Sequence, residues 1–174
     1  MREEDPTGSV SALRPRELRI ASPGGIYRVE VESAGHAWVL DEPAADGGTD
    51  AGPTPVEAFL GGLLSCLTIS FQFSARRKGI AIDRIEGWIA ANETRYIEQI
   101  AVELQVWSPA PEEQVRELLS RAERGCFVSN VLKPEIAYTI ELAVYPSEPS
   151  PHPPAPDPDP SGEGQREGEE PAAK

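Results

Sequence analysis

The chain carries two cysteines, Cys66 and Cys126. In a reducing compartment a pair of this kind reads as free, metal-bound or redox-active thiols rather than as a permanent cross-link. Each also has a plain reading as a small core hydrophobe: Cys66 lies in the middle of a long apolar stretch, and Cys126 directly follows Gly125. Together they could form a redox couple, which requires their Cα atoms to come within about 7 Å, a distance that spacing along the chain does not fix.

The surroundings of Cys66 set a condition on that chemistry. The residue falls some three turns into its helix, too far from the N-terminus for the dipole to lower its pKa. A reactive thiolate there needs a cationic or hydrogen-bond-donating partner from another element. Glu57 does not meet the need on its own helix, because nine residues at about 100° each place it roughly half a turn from the Cys66 face. Its first reading is a helix-capping residue. Metal chemistry finds few ligands: His36 and His152 are the two histidines, and there is no CxxC pair. His36 reads as an ordinary strand residue. The acidic loop with Asp41, Glu42, Asp46 and Asp50 lacks EF-hand spacing and reads as solvated. Gly61-Gly62 lies within a helix, where it permits close helix–helix packing rather than cradling a phosphate.

The elements that must position these residues follow from pattern. Leu18 and Ile20, then Ile26–Val31, then His36–Leu40 read as strands separated by Pro23-Gly24-Gly25 and Ser33-Ala34-Gly35 turns. Thr54-Pro55-Val56-Glu57 is a capping-box pattern that opens a helix. Gly79, after Arg76-Arg77-Lys78, closes it. The helix between runs about 36 Å. From Ala58 to Ala75 it holds no charge and is apolar on every side, the pattern of a buried or membrane-spanning helix. Interspersed Gly, Ser, Thr and Gln, with strand patterns on both flanks, favour a central helix wrapped by sheet and shared with a second subunit. Strand patterns resume over Ile80–Arg95 and Ile100–Trp107. A second helix opens near Pro109 and Pro111, carries Val115, Leu118, Leu119 and Ala122 on one stripe, and ends at Gly125. Ile136, Tyr138, Ile140, Leu142 and Val144 alternate through a last strand. The order βββ-α-ββ-α-β predicts an α+β domain over residues 17–146.

Charge and composition exclude several classes. The formal net charge is −13, and the one cationic run is Arg76-Arg77-Lys78, so a phosphate-tracking surface for nucleic acid is not expected. The first 15 residues are polar and contain Pro6 and Pro15 rather than an apolar signal, which points to the cytoplasm. Residues 1–16 read as a flexible lead-in. Residues 147–174 continue a stretch rich in Pro and acids with no aliphatic residue larger than Ala, too poor in apolar surface to offset the entropy of ordering it.

Gly52-Pro53-Thr54-Pro55-Val56-Glu57, with Cys66 nine residues on and a second helix closing on Cys126-Phe127-Val128-Ser129-Asn130, resembles the OsmC/Ohr family of osmotically inducible and organic hydroperoxide resistance proteins. The resemblance runs from about Ile26 to Tyr145, and the PTPxE spacing is similar to the OsmC-like branch. It implies an intertwined homodimer with the long helices packed centrally between sheets and each site built from both chains. By motif, Cys66 resembles the peroxidatic cysteine, Cys126 the resolving cysteine and Glu57 the active-site glutamate, which in such a dimer serves the second subunit's site. The Arg that holds the thiolate in hydroperoxide resistance proteins has no matching motif here; Arg28 is the nearest by position. Phe127 stands where many members carry Pro.

The implied chemistry is a thiol peroxidase acting on organic or hydrogen peroxide without metal or organic cofactor. A Cys66 sulfenic acid condenses with Cys126 to a disulfide, which a dithiol reduces. The alternative expectation is a non-catalytic dimer that binds a small apolar ligand between subunits, with both cysteines as core residues.

Overall fold

The computed structural model describes residues 16–24, 27–93 and 96–147. The expected lead-in and acidic tail lie outside these residues, apart from Arg16 and Ser147. The described chain forms β1 (Arg19–Ala21), β2 (Val29–Ser33), β3 (His36–Leu40), α1 (Pro55–Lys78), β4 (Arg84–Glu93), β5 (Ile97–Trp107), α2 (Glu112–Gly125) and β6 (Ala137–Tyr145). This is the α+β order expected from the sequence. Short 3-10 turns at Ala44–Asp46 and Ser129–Val131 occupy stretches that pattern alone leaves as loop.

The limits of α1 are set locally. The Thr54 hydroxyl accepts from the Glu57 N–H at 3.2 Å, and the Thr54 N–H donates to the Glu57 carboxylate at 2.7 Å, so two orphan amides are satisfied reciprocally. At the far end Gly79 adopts φ 67°, and the Ile80 N–H bonds back to the Ala75 carbonyl at 3.0 Å. That closure carries the chain out of the helix before strand pairing starts, which is why β4 begins at Arg84 and not at Ile80.

Two three-stranded sheets form, in the orders β1-β2-β3 and β4-β5-β6. The first is antiparallel throughout. In the second, β4 runs antiparallel to β5, while β6 pairs with β5 in parallel, with Ile100 opposite Tyr138 and Val106 opposite Val144. A parallel pair needs a long crossover, and α2 supplies it. The core lies between the second sheet and the helices. It joins Leu63, Leu67, Phe71 and Ala75 of α1, Ile100, Val102, Leu104 and Val106 of β5, and Val115, Leu118 and Ala122 of α2, with Cys126 at its edge. Burying a side chain such as Leu67 or Phe71 completely contributes about 2 kcal/mol. Gly87 lets α1 approach β4: a Cβ there would stand 2.9 Å from Leu104 Cδ2 and 3.1 Å from Leu64 Cδ1.

Two features differ from the sequence expectations. Within one chain α1 is buried along a single stripe, whereas Phe59, Ile69 and Phe73 on its other side are exposed. By length and composition the helix is apolar enough to cross a membrane, yet its buried stripe belongs to the core of this α+β fold. Asp41, read from the sequence as solvated, is 1% exposed. Its carboxylate accepts from the N–H groups of Glu42, Thr49 and Ala51 at 2.9, 3.1 and 3.2 Å and from the Thr49 hydroxyl at 2.5 Å. The Thr49 hydroxyl bond, with the three amides, outweighs desolvation and holds the Asp41 pKa below its ordinary 3.8. One carboxylate thereby ties the 41–53 loop that delivers the chain to the α1 cap.

Candidate functional site

Cys66 projects from the middle of α1 and is partly exposed; Cys126 forms the C-cap of α2 and is fully buried. Their helices pack against each other. Both cysteines are free thiols, and Cys66 lies near enough to Cys126 to bear on its pKa. The sequence pair is thus brought together across about 60 residues of chain.

Cys126 sits in a nest of donors because α2 ends there and the chain turns at once into the Ser129–Val131 turn. The Ser129 N–H points at the Cys126 sulfur at 3.4 Å, and the Ser129 hydroxyl bonds the Cys126 carbonyl at 3.2 Å. Burial pushes the Cys126 thiol up, but hydrogen bonds from the Ser129 side chain and amide, the Cys66 thiol and the Val128 amide outweigh it and hold its pKa below the usual thiol value of 9.0. The pair can therefore hold one negative charge and one proton between two sulfurs. The partly exposed member is the one a solute can reach, and the buried member is the one the protein's donors hold.

Tyr138 of β6 packs against the same core, and its hydroxyl is buried with no hydrogen-bond partner. Burial, then the charges of Cys126, Glu123 and Cys66, push its pKa up to about 12, so it stays protonated through the working range. Neither Ser129 nor Tyr138 stood out from the sequence as a site residue. For Tyr138 there was a signal: it takes an inward position between Ile136 and Ile140, and a phenol among aliphatic neighbours needs a partner.

The other expected residues lie elsewhere in a single chain. Glu57 is exposed, engaged in the α1 capping box, and about 13 Å along the helix axis from Cys66. Arg28 pairs with Glu30 at 3.1 Å ahead of β2, and its Nε is buried without a partner. Among the described residues no three His, Cys, Asp or Glu side chains converge as metal ligands. A groove of about 590 Å³ that neither cysteine lines is formed by Phe59, Ile97, Val131, Leu132 and Ile136 with Glu98, Lys133 and Glu135. Phe59 is seven residues before Cys66 and so shares its helical face, and Val131 and Leu132 follow closely on Cys126.

The architecture has known counterparts. It resembles the OsmC-like protein of Mycoplasma pneumoniae with a TM-score of 0.67 at 16% identity, covering 75% of this chain and 97% of that one. A hypothetical protein from Aquifex aeolicus VF5 gives 0.68 at 15% identity, over 78% and 100% of the two chains. The organic hydroperoxide resistance protein OhrB of Bacillus subtilis gives 0.55 at 24% identity, over 76% and 100%. No curated protein sequence matches the chain. The model of the OsmC-like protein family matches residues 47–141, a span that contains α1, both cysteines and most of β6. With more than half of its length so matched, the chain belongs to the OsmC-like protein family.

Proposed function

We propose that the chain is a cysteine-based peroxidase that reduces organic or hydrogen peroxides as a homodimer. The observation that carries the reading is a partly exposed Cys66 packed against the core that holds a buried, donor-held Cys126. The names of several structural relatives, organic hydroperoxide resistance proteins among them, point the same way.

In the reaction Cys66 passes its proton to the Cys126 thiolate and attacks the terminal oxygen of ROOH. The S–O bond forms as the O–O bond breaks, leaving Cys66 sulfenic acid and an alkoxide that takes a proton from solvent to give ROH. The Cys126 sulfur then displaces hydroxide from the sulfenic sulfur, its proton leaving with the oxygen as water, and the Cys66–Cys126 disulfide results. An external dithiol returns both thiols through a mixed disulfide. The groove walled by Phe59, Ile97, Val131 and Leu132, on the helical face that Phe59 shares with Cys66, offers apolar surface for the carbon portion of an organic hydroperoxide.

A homodimer is supported by what one chain leaves uncovered. Phe59, Ile69 and Phe73 share the outer side of α1, and Gly61 and Gly62 next to them meet nothing within 4 Å. A contiguous apolar face of this kind marks an interface, and the two glycines would let a second α1 approach closely. The first sheet contributes nothing to the core cluster of its own chain. In an intertwined pair, Glu57 and Arg28 of one chain would serve the cysteines of the other.

The test is direct. Purified, reduced protein treated with one equivalent of an organic hydroperoxide should lose two hydrogens by mass and form a Cys66–Cys126 disulfide. With dithiothreitol it should consume the peroxide continuously, and Cys66→Ser should abolish turnover. Equal turnover by wild type and Cys66→Ser would end the reading. The same groove also favours a second reading, a non-catalytic dimer that holds a small apolar ligand. That protein would keep its thiol count after peroxide and carry the ligand through purification.

A further inference from the structure

The last turn of α1 and the second half of α2 bring four cations to one place. Arg77 and Lys78 of α1, with Arg121 and Arg124 of α2, line a groove of about 470 Å³ that Phe73, Ser74 and Gly125 complete. All four cations are exposed, and at Phe73 the groove borders the outer face of α1. A base near a helix C-terminus complements the dipole of its own helix, but the dipole gives no reason for both sets to face one groove. Among the described residues the ion pairs of this group run to a single carboxylate. Glu117 pairs with Arg121 at 2.8 Å and with Lys78 at 3.8 Å, while Arg77 and Arg124 form no ion pair. The Arg121 hydrogen bond, then the charges of Lys78, Arg121 and Arg124, hold the Glu117 carboxyl below its ordinary 4.5, so the charges of both helices act at one point. A cleft lined by one sign of charge concentrates the opposite ion.

The chain carries a matching anion. Asp157, Asp159, Glu163, Glu167, Glu169 and Glu170 fall within residues 148–174, outside the described part, with Arg166 and Lys174 the only Arg or Lys there. The described chain also ends on the side of the groove. Tyr145 pairs with Trp107, Trp107 pairs with Arg84, and Gly79 to Asp83 alone join Arg84 to the end of α1. Two strand spacings cover about 10 Å and the 79–83 connection at most about 20 Å, so Tyr145 stands within about 30 Å of Lys78. The chain from Tyr145 to Asp157 can extend about 40 Å, and the later acids reach further. We propose that the acidic segment 157–170 is an intramolecular ligand of this groove, seating its carboxylates among Arg77, Lys78, Arg121 and Arg124. The tether gives those carboxylates an effective concentration in the millimolar range, which lets several individually weak exposed pairs act together. The inference is independent of the peroxide reading.

The test uses full-length protein and a water-soluble carbodiimide, which couples a Lys amine to a carboxylate in contact with it; peptide mass then identifies the joined residues. Lys78 reports on the groove, and Lys133, also exposed but outside it, reports on random collision. At low salt, links from Lys78 to segment 157–170 should exceed those from Lys133 about tenfold, in a product with the mass of one chain. The excess should vanish in about 1 M salt, where the Debye length is about 3 Å. It should also vanish in Arg77→Gln/Arg124→Gln, which leaves both Glu117 pairs in place. A segment linked no more to Lys78 than to Lys133, an excess indifferent to salt, or Lys78 links confined to a two-chain product would each overturn the proposal. The salt series needs wild type alone, so the outcome stands even if the double variant fails to fold.

Discussion

Oxidising the cysteine pair should stabilise the fold by an amount that can be worked from the chain. A Cys66–Cys126 bond closes a loop of about 60 residues, and the chain-entropy relation gives about 4 kcal/mol for removing that freedom from the unfolded state. For a domain of about 130 residues this corresponds to a rise in melting temperature of roughly 15 °C. The full value is expected only if the bond forms with little distortion, and the two cysteines lie on packed helices, one in the middle of α1 and the other at the end of α2. The assay compares thermal melts of reduced protein and of protein treated with one equivalent of hydroperoxide, with the intramolecular bond verified by mass. Cys66→Ser treated identically is the control and should not move. An oxidised sample that carries the verified bond yet melts with the reduced one would refute the reasoning, because it would mean that native strain cancels the entropic gain and that the pair is not poised to join.

Two further outcomes follow from other parts of the fold. Ile69→Glu places a charge on the outer side of α1 without touching Leu63, Leu67, Phe71 or Ala75; it should turn a dimer into a folded monomer in sedimentation with unchanged far-ultraviolet circular dichroism, and a wild type that sediments as a monomer would remove the interface. Asp41 has a depressed folded-state pKa, so its contribution to stability is complete above its ordinary value of 3.8 and is lost as pH falls through the lower folded value. Asp41→Asn should therefore melt below wild type at neutral pH, with the gap closing below pH 3.8 and the 41–53 loop more readily cut by protease; a gap independent of pH would contradict the assignment.

Much of the architecture was legible because it is fixed locally. Thr54, Pro55, Glu57 and Gly79 mark the two ends of α1 by their own hydrogen bonds and backbone geometry, and alternation marks β5 and β6. The parallel pairing of β5 with β6 was not legible, since an alternating strand looks the same beside either neighbour direction. Asp41 misled for a related reason. An acid among Gly and Asp reads as solvated until Thr49 and Ala51 fold back over it, and that return is a property of the loop's path. At the site, the motif resemblance pointed to Cys66 and Cys126, but the Ser129 donor depends on where α2 stops and how the chain turns after it. Arg28 and Glu57 remain apart from the pair within one chain, in keeping with a site that draws on a second copy.

The crossover through α2 has a consequence for how the protein is made. Cys66 is translated well before the segment that holds Cys126, and Tyr138 comes later still, on the strand that completes the sheet. While the chain is emerging from the ribosome, the earlier sulfur has not yet met its counterpart. Any chemistry that needs both sulfurs thus becomes available only after α2 has been made and has packed against α1.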